Sequence, residues 1–248
     1  MRQARAGEVG VAGRVTAADA GGEPTRNIVR DATDPTALDA AADVLLRGDI
    51  VGVPTETVYG LAVLPTSAAV AALIAAKRRP PDKGIALLID DLEQARALAE
   101  VPAAAAALAA RFWPGALTMV LALLPGVELP DEITGGRRSV GLRLPDHAVP
   151  RALARRLGPL AVSSANLSGE PEARTAGELS AILGARLGLV LDDGPVRGGV
   201  PSTVVAVSVG QPLRVLRAGA IPETVLLSVV GEDGRPSDRP PPRDASGA

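Results

Sequence analysis

The amino-acid sequence predicts an α/β (α+β) domain: a mixed, open sheet with helices flanking it. Three observations lead there. Short apolar runs alternate along the chain with segments of helical periodicity. The boundaries between them carry Asp, Thr, Gly and Pro where helices start and stop. Finally, 47% of the 248 residues are apolar, enough to bury a sizeable core. No internal repeat or domain-sized linker interrupts the pattern, so residues 31–230 are read as the folded domain. Residues 1–30 are rich in Gly, Ala and charge, and residues 231–248 are charged and Pro-rich. Neither stretch has the periodicity that builds a core, and both are expected to be disordered tails.

Taken in order, Asp34-Pro35 supplies an N-cap and a first-turn proline for a helix running through Leu46, which Gly48 closes in a left-handed conformation. A strand follows at residues 50–53. Residues 67–76 read as a second helix and 85–89 as a buried strand. Residues 92–111 read as helical segments broken at Pro102, because proline removes a donor and clashes with the preceding turn. Residues 117–124 and 139–144 are strand-like, 147–157 helical, and 160–162 a short strand. Thr175-Ala176-Gly177-Glu178 has the spacing of a capping box opening another helix. Strands at 189–191, 203–207 and 213–216 complete the sheet, and Pro222 starts a last short helix.

Composition narrows the chemistry. With 26 Lys+Arg against 28 Asp+Glu, binding to anions must come from local clustering and not from a global field. The absence of cysteine removes disulfides, a thiol nucleophile and Cys-ligated metal sites. No Gly-x-x-x-x-Gly-Lys-Ser/Thr loop and no Gly-x-Gly-x-x-Gly turn is present. The only histidine, His147, follows Pro145-Asp146 at a helix start, where a capping or surface role is expected. No apolar run approaches the roughly 20 residues that span a bilayer, and no secretory h-region follows Met1. The chain is read as cytoplasmic, with no membrane partner. The three aromatics are Tyr59, Phe112 and Trp113; Phe112 is expected in the core, while Tyr59 is open between core and cleft.

What remains is a series of polar stations at the edges of apolar segments. Thr55 and Thr57 follow the first predicted strand, and Lys77, Arg78, Arg79 and Lys83 precede the next. Hydroxyls at one strand end and clustered cations before another suggest a cleft for an anion, most simply a nucleotide phosphate. Ser139 and Arg143 share one face of a strand, because side chains alternate with period two. Ser164, Asn166 and Ser168 follow the strand at 160, Ser202 leads into another, and Arg217 ends the last. Each has a bland reading as a turn, a strand entry or a solvated charge; their conjunction does not.

That conjunction also resembles a known family. Pro54-Thr55-Glu56-Thr57-Val58-Tyr59-Gly60-Leu61, Lys77-x-Arg79-Pro80-x-x-Lys83-Gly84, Trp113-Pro114-Gly115-x-Leu117-Thr118, Arg143-x-Pro145, Ser164-Ala165-Asn166-x-Ser168-Gly169, Pro201-Ser202-Thr203-Val204 and Arg217-x-Gly219 follow one another as in the YrdC/Sua5 family of threonylcarbamoyl-AMP synthases, across roughly residues 35–222. The resemblance implies a twisted sheet around a cationic cavity. It also implies a reaction: L-threonine, bicarbonate and ATP, with Mg2+, give threonylcarbamoyl-AMP and pyrophosphate. The product serves N6-threonylcarbamoyladenosine formation at position 37 of tRNA, so downstream tRNA threonylcarbamoyl-transferase proteins and tRNA itself are the implied partners. By the same resemblance, Arg79 and Lys83, supported by Lys77, take the ATP phosphates, and Ser139, Ser164 and Arg217 take the nucleotide. Thr55, Arg143 and Ser202 hold threonine or its carbamate, with Arg143 suited to a bidentate carboxylate contact. Asn166 bonds either substrate or its own turn, and Glu56 is expected to be structural.

The reaction suits these residues. A carbamate oxygen attacks the α-phosphorus and expels pyrophosphate, so no protein nucleophile is required; the work is holding two anions together and stabilising charge at phosphorus. Two departures from the family pattern stand out. Many relatives have Asn-Pro-Leu and a nearby histidine after the Lys-x-Arg-Pro motif, where this chain has Lys83-Gly84-Ile85. The extra C-terminal domain of the longer Sua5 type is also not expected here, since the tail from Gly231 cannot fold into one. The competing readings are a double-stranded RNA- or nucleotide-binding member without synthase activity and, third, an acyl-adenylate hydrolase or carbamoyl-transfer module.

Overall fold

The computed structural model of the chain describes residues 28–80, 83–231 and 235–236. Its strands, among the described residues, are β1 Val29–Asp31, β2 Val51–Val53, β3 Gly60–Val63, β4 Ala86–Leu88, β5 Leu117–Ala122, β6 Ser139–Arg143, β7 Leu160–Ser164, β8 Leu189–Asp192, β9 Thr203–Ala206 and β10 Arg214–Arg217. The helices are α1 Ala37–Leu46, α2 Ser67–Lys77, α3 Leu92–Leu98, α4 Ala103–Phe112, α5 Asp131–Thr134, α6 Ala148–Leu157, α7 Ala176–Leu183 and α8 Glu223–Leu227. One mixed sheet runs β1-β8-β2-β3-β7-β4-β6-β5-β9-β10. Its parallel pairs are β1 with β8, β8 with β2, β4 with β6 and β5 with β9; the others are antiparallel.

Side-chain alternation sorts each strand between two faces. On one face Leu61 of β3, Leu87 of β4, Leu117, Met119 and Leu121 of β5, Val140 and Leu142 of β6 and Val205 of β9 form a large core with Val70 and Leu73 of α2, Ala105 and Leu108 of α4, and Leu179 and Leu183 of α7. On the other face α1 and α6 cover only one wing: Ala41, Leu45, Val149 and Leu153 pack with Val51, Val53, Ala62, Leu160, Leu189 and Leu191. Among the described residues the wing from β6 through β10 has no such cover on that face, and there the cavity lies.

Several helix ends follow the expected chemistry. Thr66, Asp91 and Thr175 cap α2, α3 and α7 by accepting the Ala69, Gln94 and Glu178 N–H groups. The capping box at α7 is half realised, because the Glu178 carboxylate accepts from Arg174 N and not from Thr175. At α1 the sequence expectation is corrected: the helix opens after Thr36, while Asp34 accepts the Thr36 N–H and hydroxyl in a turn of its own. Gly48 has φ +88 with open space where a Cβ would go, so it ends the helix as expected.

Four elements escape the sequence reading: β1, β3, α5 and a single 3-10 turn at Gly184–Arg186. β3 is buried at all four positions, so it shows no alternation. β1 takes Val29 and Arg30 from the stretch expected to be tail; residues 1–27 and most of 232–248 lie outside the described residues. Tyr59 resolves to the core, fully buried, with its hydroxyl donating to the Gly194 carbonyl at 2.9 Å; burial, chiefly, pushes its pKa up to about 12.

His147 caps α6 and does not begin it. Its Nδ1 accepts the Val149 N–H at 3.3 Å while Nε2 lies 3.2 Å from Asp193, the contacts of a neutral ring. Burial, outweighing Asp193, holds its pKa below the ordinary 6.5. The unfolded chain therefore takes up this proton first as pH falls. The stability His147 contributes is complete above about 6.5 and is lost as pH drops through the folded-state value. Asparagine would cap without titrating. In urea unfolding, the stability of wild type relative to His147→Asn should rise with pH and level off above about 6.5; a flat difference would contradict the neutral cap.

Beyond β10 the chain is pressed against the entry to β9. A Cβ on Gly219 would lie 2.4 Å from the Pro201 carbonyl oxygen and 2.5 Å from Thr203 N. Ala220 N donates to that carbonyl, and the Thr203 hydroxyl bridges both backbone groups of Ile221. Gly219→Ala should accordingly cost about 1–3 kcal/mol, the usual range for forced overpacking, seen as a lowered urea midpoint. An unchanged midpoint would mean that the segment yields freely.

Candidate active site

The uncovered wing of the sheet floors a cavity of about 710 Å³, within the range of small-molecule sites. Its floor is the alternate set of strand residues: Ser139, Gly141 and Arg143 from β6, Thr118, Val120 and Ala122 from β5, Val204 and Ala206 from β9, with Ala86 and Leu88 from β4 and Val162 and Ser164 from β7. Small and apolar side chains hold the middle, and polar groups gather at two ends. Ser139 and Arg143 are four residues apart, about 13 Å along the strand. By register, Val162 pairs with Ala86 and Leu87 with Leu142, which puts Ser164 at the Ser139 end of the β7–β4–β6 ribbon.

The Arg143 end is a continuous network. Arg143 is buried; its Nε donates to the Gly115 carbonyl at 3.1 Å, and its Nη2 donates to Glu56 at 2.8 Å and to the Thr57 hydroxyl at 2.9 Å. Among the described residues Nη1 alone of its nitrogens has no acceptor. The side-on fork expected for a bidentate carboxylate contact is therefore taken by protein, and one amino group is offered to a ligand. Thr55 and Thr57 hydroxyls lie 2.9 Å apart, and Thr55 also donates to the Val58 carbonyl, closing the polar turn on itself. Glu56 Oε2 is buried without a hydrogen-bond partner, so the carboxylate serves Arg143 through one oxygen. Across the floor, Ser202 Oγ and Thr118 Oγ1 are 2.8 Å apart, and Arg217 Nη2 donates to the Ser202 carbonyl at 2.8 Å and reaches its hydroxyl at 3.2 Å.

At the Ser139 end, Arg79 reaches back to the Lys83 and Gly84 carbonyls, with Nη2 2.9 Å from the latter. The Arg79 side chain thus forms an arch to the Lys83-Gly84 backbone at the cavity edge. Ser164 Oγ donates to Asn166 Oδ1 at 2.7 Å.

Of the residues picked out by sequence, Thr55, Arg79, Ser139, Arg143, Ser164, Ser202 and Arg217 line one cavity. Lys77, Lys83 and Asn166 do not. Lys83 is exposed and enters through its carbonyl. Asn166 is buried in its own turn, donating from Nδ2 to the Glu170 carbonyl at 2.6 Å. Lys77 is buried beneath that turn, its ammonium donating to the Ser164 and Asn166 carbonyls and to Asn166 Oδ1. Sequence reasoning missed Arg137, Arg138 and Arg214, which line the cavity, and Thr118. Arg137 and Arg138 stand directly before Ser139, and Arg214 is the first residue of its strand; their position at strand starts was the signal available.

Electrostatics mark the same ground as anion-seeking. Burial, then the nearby Arg143 guanidinium, lowers the pKa of Arg217, with Arg79 adding to this and Glu172 opposing it. Arg217 is exposed along its length, and its charge is held close to those of Arg143 and Arg79. Burial and then Arg79 likewise lower Lys77 to about 8. An anion settling among Arg79, Arg143 and Arg217 would offset the repulsion among those three cations.

Comparison with known proteins agrees with this geometry. The family described as telomere recombination, Sua5/YciO/YrdC, matches residues 43–219. The threonylcarbamoyl-AMP synthase of Bacillus subtilis is 39% identical over 201 residues, covering 80% of this chain and 57% of that protein. A relative from Mycobacterium tuberculosis is 36% identical over 196 residues, 78% of this chain and 89% of its own length. Pyrococcus abyssi Sua5, whose structure is complexed with L-threonine, superimposes with a TM-score of 0.73 at 37% identity, over 79% of this chain and 58% of that one. The chain thus spans about three-fifths of the length of the Bacillus and Pyrococcus proteins. With the motifs in order, the sheet in common and the matched segment enclosing the whole cavity, the chain belongs to the Sua5/YciO/YrdC family.

Proposed function

We propose that the chain is a threonylcarbamoyl-AMP synthase, an adenylyl-transferring enzyme that condenses L-threonine, bicarbonate and ATP and releases pyrophosphate. The observation that carries this is the pair of guanidiniums, Arg143 and Arg217, held together at one end of a cavity whose other polar end lies a strand's length away. Such a site suits two anions that must meet head to head. Threonine or its carbamate belongs at the Arg143 end, near Thr55 and Ser202, where Nη1 of Arg143 meets the carboxylate. The nucleotide extends toward Ser139 and Ser164, its phosphates toward Arg79, with Lys83 at the exposed edge of the same arch. Arg217, touching Ser202 from the nucleotide side, is suited to the α-phosphate, where negative charge grows as the carbamate oxygen attacks.

In this reading the protein supplies no nucleophile. Bicarbonate and a proton give carbon dioxide and water, threonine's amine adds to the carbon dioxide and releases a proton, and the carbamate oxygen then forms a bond to the α-phosphorus as the bond to the bridging oxygen of pyrophosphate breaks. Holding both reactants in one water-poor cleft accounts for much of the rate such a step needs. Magnesium enters with ATP on the phosphates, as this hard cation commonly does. Among the described residues no group of three or more His, Asp or Glu could hold a metal. The product would pass to a tRNA threonylcarbamoyl-transferase, and the cytoplasm, where ATP and tRNA meet, is the compartment this implies. Among the described residues no helix is long and apolar enough to cross a membrane.

Pyrophosphate release from Mg-ATP should require threonine and bicarbonate together, with threonylcarbamoyl-AMP identified by mass. Release without joint dependence, or none from folded protein, would favour a nucleotide- or double-stranded-RNA-binding role instead. Arg79→Ala should raise the KM for ATP roughly tenfold to a hundredfold, the equivalent of one charge-assisted hydrogen bond, with little change in thermal stability. Equal turnover in the variant would remove the arch from the site.

A further inference from the structure

Lys77 stands in the most conspicuous cationic motif of the chain, yet its ammonium is turned away from the cavity. It is 2% exposed, and its three N–H groups meet three oxygens: the Ser164 carbonyl, the Asn166 carbonyl at 2.7 Å and Asn166 Oδ1 at 2.8 Å. No donor is left for a phosphate. The same Asn166 Oδ1 accepts the Ser164 hydroxyl at 2.7 Å, so the amide oxygen that Lys77 holds also orients the serine in the cavity wall. The backbone repeats the link, as Ser168 N donates to the Lys77 carbonyl at 3.0 Å. Lys77 is also the last residue of α2. Arg78 follows with φ 51, a left-handed turn, and Arg79 N returns to the Ile74 carbonyl at 3.1 Å. A single residue is thus fastened to the turn bearing Ser164 on one side and to the segment launching Arg79 on the other.

We infer that Lys77 is a positioning residue, which fixes the turn at 164–166 and locks it to the Arg79 segment so that the two walls of the nucleotide end keep one spacing. This rests on the nucleotide reading proposed above and refines it, since Lys77 acts through Ser164 and touches no phosphate. Replacing it by an apolar side chain of similar length would leave the buried Asn166 carbonyl without a donor and would reduce the Ser164 carbonyl and Asn166 Oδ1 to the Asn166 N–H and the Ser164 hydroxyl, which loosens the turn and not merely the charge balance.

The test is calorimetric binding of Mg-ATP to wild type, Lys77→Met, Ser164→Ala and the double variant, with amide hydrogen exchange over residues 163–169. Lys77→Met should raise the Kd roughly tenfold at unchanged stoichiometry and speed exchange in that segment. The double variant should be no more than about twofold worse than Lys77→Met, because the two substitutions disable one element. Losses that multiply with exchange unchanged would show a direct phosphate contact. A fall in stoichiometry at unchanged Kd would show a purely structural role. Either would overturn the inference. If Lys77→Met does not fold, Asn166→Ala carries the test, because it removes the shared oxygen from outside the cavity. It should raise the Kd several-fold, and an unaltered Kd would refute the tether. Wild type failing to bind Mg-ATP would instead sink the nucleotide reading, while the exchange data would still judge the turn.

Discussion

The cavity exists because the helices cover only part of one sheet face. α1 and α6 occupy the wing of β8, β2, β3 and β7, and among the described residues no helix of that layer extends over β6, β5 and β9. A strand that buries one face in a dense core is committed to present its other face somewhere. In this fold the other face of the β6–β5–β9 wing carries Ser139, Gly141, Arg143, Thr118, Val120, Ala122, Val204 and Ala206. Large apolar side chains there would demand a covering helix, whereas small and polar ones can remain open to a ligand. The large core on the opposite face makes this rigid: Leu117, Met119, Val140 and Leu142 are at most 1% exposed, so strand register, and with it the spacing of Ser139 and Arg143, cannot slip without turning every core residue outward.

Charge is arranged with equal economy. Arg143 is neutralised on one edge by Glu56 and held by Gly115 and Thr57, which leaves Nη1 as its one nitrogen without an acceptor among the described residues. Arg217 has no ion pair of that kind among the described residues and is tied to Ser202 by neutral acceptors, with Glu172 acting on it only through its field. The two cations differ in what they ask for: the first needs only orientation, while the second gains most from an arriving negative charge. That division suits a reaction in which one reactant carries a permanent carboxylate and the other develops charge at phosphorus.

Much of this was legible before the structure. The alternating strands, the Gly48 terminus, the hydroxyl–cation stations and their convergence all follow from periodicity, turn chemistry and motif order. What was not legible has physical causes. β3 hides because both its faces are buried. Lys77 and Asn166 resemble ligands in sequence because a cation and an amide beside a serine look the same whether they bind substrate or bind each other; only burial and the count of acceptors separate the cases. Arg137, Arg138 and Arg214 were overlooked for the opposite reason, since charges at strand starts usually face solvent, and here the strand start is the rim of the cavity.

Lys77 and Arg79, two residues apart, show how one motif divides its labour. The side chain buried at the helix end ties α2 to the turn after β7, and the side chain beyond the left-handed Arg78 bends over the cavity edge to grip its own loop at Gly84. Burying the first cation is tolerable because three oxygens surround it, while the second stays half-exposed at the cavity edge. A lysine at the second position would lose the planar fork that spans two carbonyls, and an arginine at the first would be too large for a niche closed on all sides. The Lys-x-Arg order is therefore a consequence of the two walls it joins, with the tether inside and the arch outside.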